Sequence, residues 1–151
     1  MKTKKIEIYC DGSCEPTNPG GTSSYGFIIF NNGNELYKES AIVTKGKNST
    51  NNVAEYAGLL NGLRWLYKNK LNENKVICYA DSKLVIEQMS GRWQMKKGVY
   101  IPWALKCKDA IPHFTDITFQ WIPREENVMA DFLSRSELKK AGIKFRIQPE
   151  G

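Results

Sequence analysis

Four acidic residues lie in apolar stretches of the sequence, where a carboxylate is costly to bury. Asp11 follows Ile-Tyr-Cys, Glu55 lies in a run rich in Ala and Leu, Asp81 follows Cys-Tyr-Ala, and Asp131 lies between Met-Ala and Phe-Leu. Burial of such a group requires a cation, a metal or hydrogen-bond donors. Taken singly, Asp11 and Asp81 can be turn or cap residues, Glu55 can favour a helix N-terminus, and Asp131 can be a solvated helix residue. Taken together, the four indicate a metal site.

The chemistry that this set would support is hydrolysis with a bound cation. No cluster of His or Cys competes for a metal, and an all-oxygen site selects a hard cation such as Mg²⁺ or Mn²⁺. Two such ions about 3.5–4 Å apart can activate a water and stabilise the leaving oxygen of a phosphodiester. Four carboxylates therefore predict phosphodiester chemistry that needs no protein nucleophile.

The cysteines and the first residues of the chain predict its compartment. Cys10, Cys14, Cys78 and Cys107 form no Cys-x-x-Cys pair, and Cys10 and Cys78 lie in apolar runs where a free thiol packs as a small hydrophobe. A zinc site is not expected. The chain begins Met-Lys-Thr-Lys-Lys without a signal peptide, and no apolar run is long enough to span a bilayer. We expect a cytoplasmic protein.

Alternation of apolar and polar side chains predicts three strands in the first third of the chain. Residues 6–10 predict a strand that ends at a Gly-rich loop, which places Asp11 at the strand end and Cys14 in the loop. Residues 25–30 and 36–43 predict an antiparallel hairpin joined by an Asn-Asn-Gly-Asn turn.

Residues 50–69 predict the clearest helix, capped by Thr50 or Asn51. At about 100° per residue, Glu55 lies on the same side as three leucines and in the first turn of the helix. The later elements, in chain order, are a strand at 76–80 buried on both faces, a helix at 82–91, a short helix at 102–110, a strand at 117–121 and a helix from Glu126 or Asn127. Alternation of Ile143, Phe145 and Ile147 suggests one further strand.

This order of elements predicts an α/β fold, in which helices pack on a mixed sheet. Ligands of open sheets gather at the carboxyl ends of strands, where Asp11 and Asp81 are expected. A length of 151 residues fits one domain, residues 1–151. The formal charge of +6 permits binding to a polyanion, although a well-solvated basic surface explains it equally well.

Four motifs occur in a characteristic order. They are Asp11-Gly-Ser-Cys…Asn18-Pro-Gly, Thr50-Asn-Asn-Val-Ala-Glu55, Tyr79-Ala-Asp81-Ser and Pro123-Arg-Glu-Glu-Asn-Val-Met-Ala-Asp131. Over residues 4–135 they resemble the type 1 ribonuclease H family, with residues 136–151 as a C-terminal tail. The resemblance implies a ribonuclease H-like mixed five-stranded sheet, with three antiparallel strands followed by two parallel ones.

The resemblance also implies an activity and a cofactor. Members of the family hydrolyse the RNA strand of RNA–DNA hybrids with two Mg²⁺ ions, or Mn²⁺ as a substitute, and leave 5′-phosphate and 3′-hydroxyl ends. By that resemblance Asp11 would bridge both ions, Asp131 would complete one site, and Glu55 and Asp81 would support the other. It implies no membrane and no obligate protein partner, and we expect a monomer.

Contacts with the hybrid are a second implication of the resemblance. Cys14, Asn18, Asn51 and Asn52 match positions that contact the minor groove, and an amide can donate to and accept from a 2′-hydroxyl. Thr50 matches a phosphate-pocket position for the DNA strand, whereas Asn48 stands where some relatives carry Arg. Turn and cap roles are the alternative for these residues.

The aromatic and basic residues of the later loops are open to two interpretations. Trp93, in Gly-Arg-Trp-Gln-Met-Lys-Lys, would line the DNA channel or be an ordinary surface residue, and Lys96 and Lys97 would touch phosphates or be solvated. Trp121 alternates with Phe119 in a strand and is expected in the core.

Two features depart from many members of the family. The only histidine, His113, precedes the last strand, so the mobile His of the loop before the final Asp is missing. Arg124, Glu125 and Glu126 occupy that loop and are possible auxiliary residues. The stretch from residue 89 to 102 is too short for the basic helix and loop with which some relatives grip hybrids.

Two other classes of function are compatible with this fold. One is a nucleic-acid-binding module without catalysis, although four clustered negative charges would not help such a groove to bind phosphates. The other is a nuclease of the same fold that acts on DNA, since a fold does not fix its substrate. The sequence leaves open whether the chain is a free enzyme or an excised polyprotein domain, and its short basic ends favour a free protein.

Overall fold

The structure, a computed structural model, describes residues 4–146. Five strands and four helices follow one another in the predicted order. They are β1 (Lys5–Glu15), β2 (Gly20–Asn31), β3 (Asn34–Gly46), α1 (Asn51–Lys68), β4 (Lys75–Ala80), α2 (Lys83–Met89), α3 (Ile101–Ala110), β5 (Asp116–Trp121) and α4 (Val128–Lys140). Short 3₁₀ turns precede β5 and α4.

The strands form one mixed sheet in the order β3-β2-β1-β4-β5. The pairs β1–β2 and β2–β3 are antiparallel, and the pairs β1–β4 and β4–β5 are parallel, which confirms the predicted sheet. The β2–β3 hairpin turns at Asn32 and Gly33, with φ of 50° and 87°. Two successive residues at positive φ are typical of a tight hairpin turn, and the sequence Asn-Gly favours that backbone.

β1 is longer than predicted and extends beyond its parallel neighbour. Its pairing with β4 ends at Tyr9 and Tyr79, whereas its pairing with β2 continues to Glu15 and Thr22. The prediction that Asp11 ends its strand and that Cys14 lies in a loop is therefore wrong, because the Gly-Ser-Cys-Glu segment is held by β2. Asp11 instead lies where β1 loses its second neighbour, beyond the end of β4.

Two helices pack on opposite faces of β1. A Cβ at Gly12 would lie 2.4 Å from the backbone nitrogen of Glu55 in α1. The next residue, Ser13, shares a 2.9 Å hydrogen bond between hydroxyls with Ser134 of α4. Successive strand residues face opposite ways, so α1 and α4 cover opposite faces. Glycine at position 12 is required because α1 approaches the strand too closely for any side chain.

The main core lies between the sheet and α1. Its largest fully buried side chains include Phe27, Ile8, Tyr56, Leu60 and Leu63, and α3 adds Ala104 and Cys107. Thr50 begins α1 by accepting a hydrogen bond from Val53 N at 3.0 Å, as predicted for a cap. Among residues 4–146 no helix is both long and apolar enough to cross a membrane.

Two further predictions about burial and one about secondary structure are wrong. Trp121 is 41% exposed, because β5 is an edge strand and the indole lies on the surface under the Lys83 ammonium. Ile77 and Tyr79 of β4 are only partly buried, so one face of this strand is less covered than the other. Ile143 and Phe145 are not in a strand, and Ile147 lies outside the described residues.

Candidate active site

Three of the four predicted carboxylates meet at the end of β4. Asp11, Glu55 and Asp81 each offer one oxygen, and these oxygens all lie within 4.8 Å of one another. They come from β1, α1 and the residue that follows β4. The sheet topology brings them together because β1 and β4 are parallel neighbours and α1 packs directly on β1.

Glu55 is the carboxylate whose environment is least like water. It is the fifth residue of α1, in the second turn rather than the first, and it is 4% exposed. Its Oε1 lies 3.5 Å from Asn51 Nδ2, whereas its Oε2 is buried with no hydrogen-bond partner among the described residues. A buried oxygen without a donor is costly, so this atom fits a bound cation.

The charges of the three carboxylates also favour a bound cation at the cluster. Burial, followed by the charge of Asp81, raises the pKa of Asp11. The interaction with the Glu55 side chain and a hydrogen bond from Gly12 N at 2.9 Å oppose the rise only in part. Burial and the charge of Asp11 raise the pKa of Glu55 well above its ordinary value. Carboxylates that repel one another in a dry site are a fitting ligand set for a hard divalent cation.

Asp81 is held by a residue that the sequence reasoning did not single out. Asn127, 2% exposed at the start of α4, donates through Nδ2 to Asp81 Oδ2 at 3.3 Å and to the carbonyl of Cys10 at 2.9 Å. Burial raises the pKa of Asp81, and the hydrogen bond from Asn127 and the charge of Arg124 oppose the rise. The sequence feature that could have pointed to Asn127 is its spacing of four residues from Asp131, which places both residues on the same side of a helix.

Asp131 lies near the cluster but is not one of its three members. It is in the first turn of α4, and its charge raises the pKa of both Asp11 and Asp81. Its Oδ1 accepts a hydrogen bond from Arg135 Nε at 3.0 Å. The fourth carboxylate is therefore already paired with a cation of its own helix.

The predicted substrate residues at the start of α1 lie side by side. Asn18 Oδ1 accepts a hydrogen bond from Asn51 N at 3.0 Å, which joins the β1–β2 turn to the first turn of α1. Asn52 is half-buried next to them, and Thr50 caps the helix. Cys14 differs, because its thiol is fully buried and donates to the carbonyl of Thr17 at 3.1 Å. The Cys14 side chain is therefore shielded from a ligand, and its carbonyl accepts a hydrogen bond from Arg146 Nη2 at 2.9 Å.

Trp93 lies on the surface, in the segment between α2 and α3. Its side chain is 48% exposed and lines an open depression of about 490 Å³ with Arg92, Gln94 and Lys96. The buried amide of Gln88 anchors this segment by donating to the carbonyl of Gln94 at 3.3 Å and to the Tyr100 hydroxyl at 2.9 Å. These hydrogen bonds anchor the segment that carries Trp93, and about half of the Trp93 side chain stays exposed.

The possible auxiliary residues form an exposed 3₁₀ turn, Arg124–Glu126, just before α4. Arg124 is close enough to lower the pKa of Asp81 by its charge. Glu125 and Glu126 line a different cavity of about 460 Å³, together with Tyr9 and Phe30. His113 is an exposed surface residue in the turn before β5, where its ring packs edge-on against Tyr67.

Comparison with known proteins identifies the family of this chain. The family model described as "Reverse transcriptase-like" matches residues 9–137. The bifunctional protein Rv2228c of Mycobacterium tuberculosis is 34% identical over 141 residues, which are 91% of this chain but only 36% of that protein. The chain thus spans about a third of that relative's length.

Two shorter relatives match over nearly their whole length. A ribonuclease H of Wolbachia sp. subsp. Drosophila simulans is 30% identical over 91% of this chain and 98% of its own. The structure of LC11-RNase H1 in complex with an RNA/DNA hybrid superposes with a TM-score of 0.79 and 33% identity, covering 90% of this chain and 98% of that one. By sequence and by fold, this chain belongs to the ribonuclease H family.

Proposed function

We propose that this chain is a type 1 ribonuclease H, which hydrolyses the RNA strand of RNA–DNA hybrids with two Mg²⁺ ions and leaves 5′-phosphate and 3′-hydroxyl ends. Mn²⁺ would serve as a substitute. The observation that carries the proposal is the cluster of Asp11, Glu55 and Asp81, whose oxygens lie within 4.8 Å of one another. The ribonuclease H of Wolbachia and the hybrid-bound LC11-RNase H1 support the reaction and the substrate.

Asp11, Glu55 and Asp81 would hold the ions, and Asp131 would complete the site. Bound divalent cations would supply an activated water and charge stabilisation for the phosphodiester. The chain contributes the placement and ionisation of these ligands. Gly12 N donates to Asp11, and Asn127 donates to Asp81, and both hydrogen bonds favour the ionised carboxylate. No protein nucleophile is required, and Arg124 would assist by charge.

Selection of the hybrid would depend on the turn between β1 and β2 and on the start of α1. Because Asn18 Oδ1 is engaged by Asn51 N, the exposed amide nitrogen of Asn18 is the group that can meet a 2′-hydroxyl. Asn51, Asn52 and the backbone of Cys14 would follow the same groove. The N-terminus of α1 at Thr50 would favour a phosphate of the DNA strand, and Trp93 would stack beside that strand.

The alternatives make different predictions. A binding module without catalysis gains nothing from three acidic groups that burial and mutual repulsion hold at raised pKa. A nuclease for DNA has no use for amides that recognise a 2′-hydroxyl. The cytoplasmic location, the monomeric state and the single domain over residues 1–151 stay predictions.

A panel of duplexes tests the proposal. Labelled RNA–DNA hybrid, double-stranded RNA and double-stranded DNA are incubated with the protein in Mg²⁺, in Mn²⁺ and in EDTA, and the products are mapped at nucleotide resolution. We expect cleavage of the hybrid alone, only in its RNA strand and only with metal, with 5′-phosphate products. Hybrid binding without cleavage in either metal would favour the binding module, and cutting of the DNA duplex would favour the second alternative.

A further inference from the structure

The C-terminal end of the described chain folds back onto the end of β1, the strand that carries Asp11. After α4 the chain reverses at Gly142, where φ is 75° and the backbone nitrogen donates to the carbonyl of Lys139 at 3.0 Å. Phe145 is then buried, and Arg146 reaches the end of β1. There its Nε donates to Glu15 Oε2 at 3.1 Å and its Nη2 to the carbonyl of Cys14 at 2.9 Å. Residues 143–146 are thus tied to the strand that carries Asp11.

This C-terminal segment packs on the cation that pairs with Asp131. The Arg135 guanidinium lies over the ring of Phe145, with 5.5 Å between the guanidinium carbon and the ring centroid. The same guanidinium donates through Nε to Asp131 Oδ1 at 3.0 Å. An aromatic face favours a cation above it, so Phe145 helps to keep Arg135 beside Asp131. Glu15, Arg146, Phe145, Arg135 and Asp131 form one connected chain of contacts.

We propose that Arg135 is an internal counter-ion that competes with a divalent cation for Asp131, and that the C-terminal segment holds it in place. This inference rests on the metal binding of the proposed function. A carboxylate that is already paired binds a cation less strongly, because the guanidinium repels the incoming charge. Among residues 4–146, Asp11, Glu55 and Asp81 form no ion pair, and Arg124 acts on Asp81 only by the field of its charge, so metal binding at Asp131 is weaker than at the other three.

Two substitutions separate the charge of Arg135 from its shape. Arg135→Gln removes the charge and keeps a donor, so Mn²⁺ should bind about fivefold more tightly at the Asp131 side of the site. Arg135→Lys keeps the charge and should stay close to the wild type. Phe145→Ala loosens the guanidinium and should tighten Mn²⁺ binding by a smaller factor than Arg135→Gln.

Helix α4 supplies a matched control. Lys140 pairs with Glu137 at 3.3 Å on the same helix, and its side chain is largely exposed. Lys140→Gln removes one positive charge without touching Asp131, so it should leave Mn²⁺ binding unchanged. In the double variant Asp131→Asn with Arg135→Gln, the gain should disappear, because the carboxylate through which Arg135 acts is gone.

The measurement is calorimetric titration of the intact protein with Mn²⁺ alone, without nucleic acid, and with circular dichroism to verify the fold of each variant. Melting with and without Mn²⁺ gives a second readout, since tighter binding raises the metal-induced stabilisation. The inference would be overturned if Arg135→Gln bound Mn²⁺ no more tightly than Lys140→Gln. It would also be overturned if neither variant bound Mn²⁺. Hybrid cleavage is not needed for this test, so a failure of the proposed reaction would be seen separately.

Discussion

Replacement of Asp11 by Asn should stabilise the protein when no metal is present. Burial and the charge of Asp81 raise the pKa of Asp11 to about 8 in the folded chain, whereas an unfolded Asp titrates near pH 3.9. A folded pKa above the unfolded one means that the folded state loses stability as pH rises from about 4 to about 8. Asp11→Asn removes this loss and keeps an oxygen that can accept from Gly12 N.

The size of the gain follows from the shift. Each unit of pKa difference corresponds to about 1.4 kcal/mol, so four units set an upper bound near 5–6 kcal/mol. Because Glu55 and Asp81 share the charge and also take up protons, we expect about half of that bound, roughly 2–3 kcal/mol at pH 8. For a chain of this size this is a rise in melting temperature of about 5–10 °C.

The assay is thermal unfolding in EDTA at about pH 5 and about pH 8. Wild type should melt lower at the higher pH, and Asp11→Asn should lose most of that difference. Asp116→Asn, which removes an exposed carboxylate at the start of β5, is the control and should behave like wild type. Added Mg²⁺ should stabilise wild type more than Asp11→Asn. A variant no more stable than wild type at pH 8, or one with the same pH trend, would refute the reasoning.

Three further substitutions test the surroundings of the cluster. Asn127→Ala leaves the Cys10 carbonyl without its donor, so the free energy of unfolding should fall by about 1–3 kcal/mol in urea, and kcat should fall more than KM rises. Gly12→Ala places a methyl 2.4 Å from Glu55 N, and the shift of α1 should destabilise the protein by at least about 2 kcal/mol and lower cleavage. Trp93→Ala should raise KM for the hybrid by about 5- to 100-fold with little change in melting temperature, whereas Tyr67→Ala, also exposed, should leave KM unchanged.

The carboxylate pattern and the strand and helix patterns could be read from the sequence because each depends on local signals. Asp81 follows a strand of six residues and precedes a capping serine, and Glu55 lies on the apolar side of a long helix. Both positions follow from periodicity alone. The same reasoning placed Asp11 at a strand end, and it failed there because the length of β1 is set by pairing with a distant strand.

Contacts between distant segments account for the rest of what the sequence did not show. Trp121 alternates as a core residue would, but β5 is at the edge of the sheet, which only the topology reveals. Asn127 lies at a helix start four residues before Asp131, which marks its position, but its hydrogen bond to the carbonyl of Cys10, 117 residues away, cannot be predicted from the local sequence. The contacts of Arg135 with Phe145 likewise depend on a chain reversal at Gly142.

Cleavage of one labelled RNA–DNA hybrid by wild type and by Asp11→Asn tests the central claim most directly, namely that the Asp11, Glu55 and Asp81 cluster holds the metal that hydrolyses the RNA strand. In Mg²⁺, wild type should cut the RNA strand and Asp11→Asn should not, although the variant is at least as stable, and EDTA should abolish cleavage by wild type. Undiminished cleavage by Asp11→Asn, or cleavage by wild type in EDTA, would contradict the account.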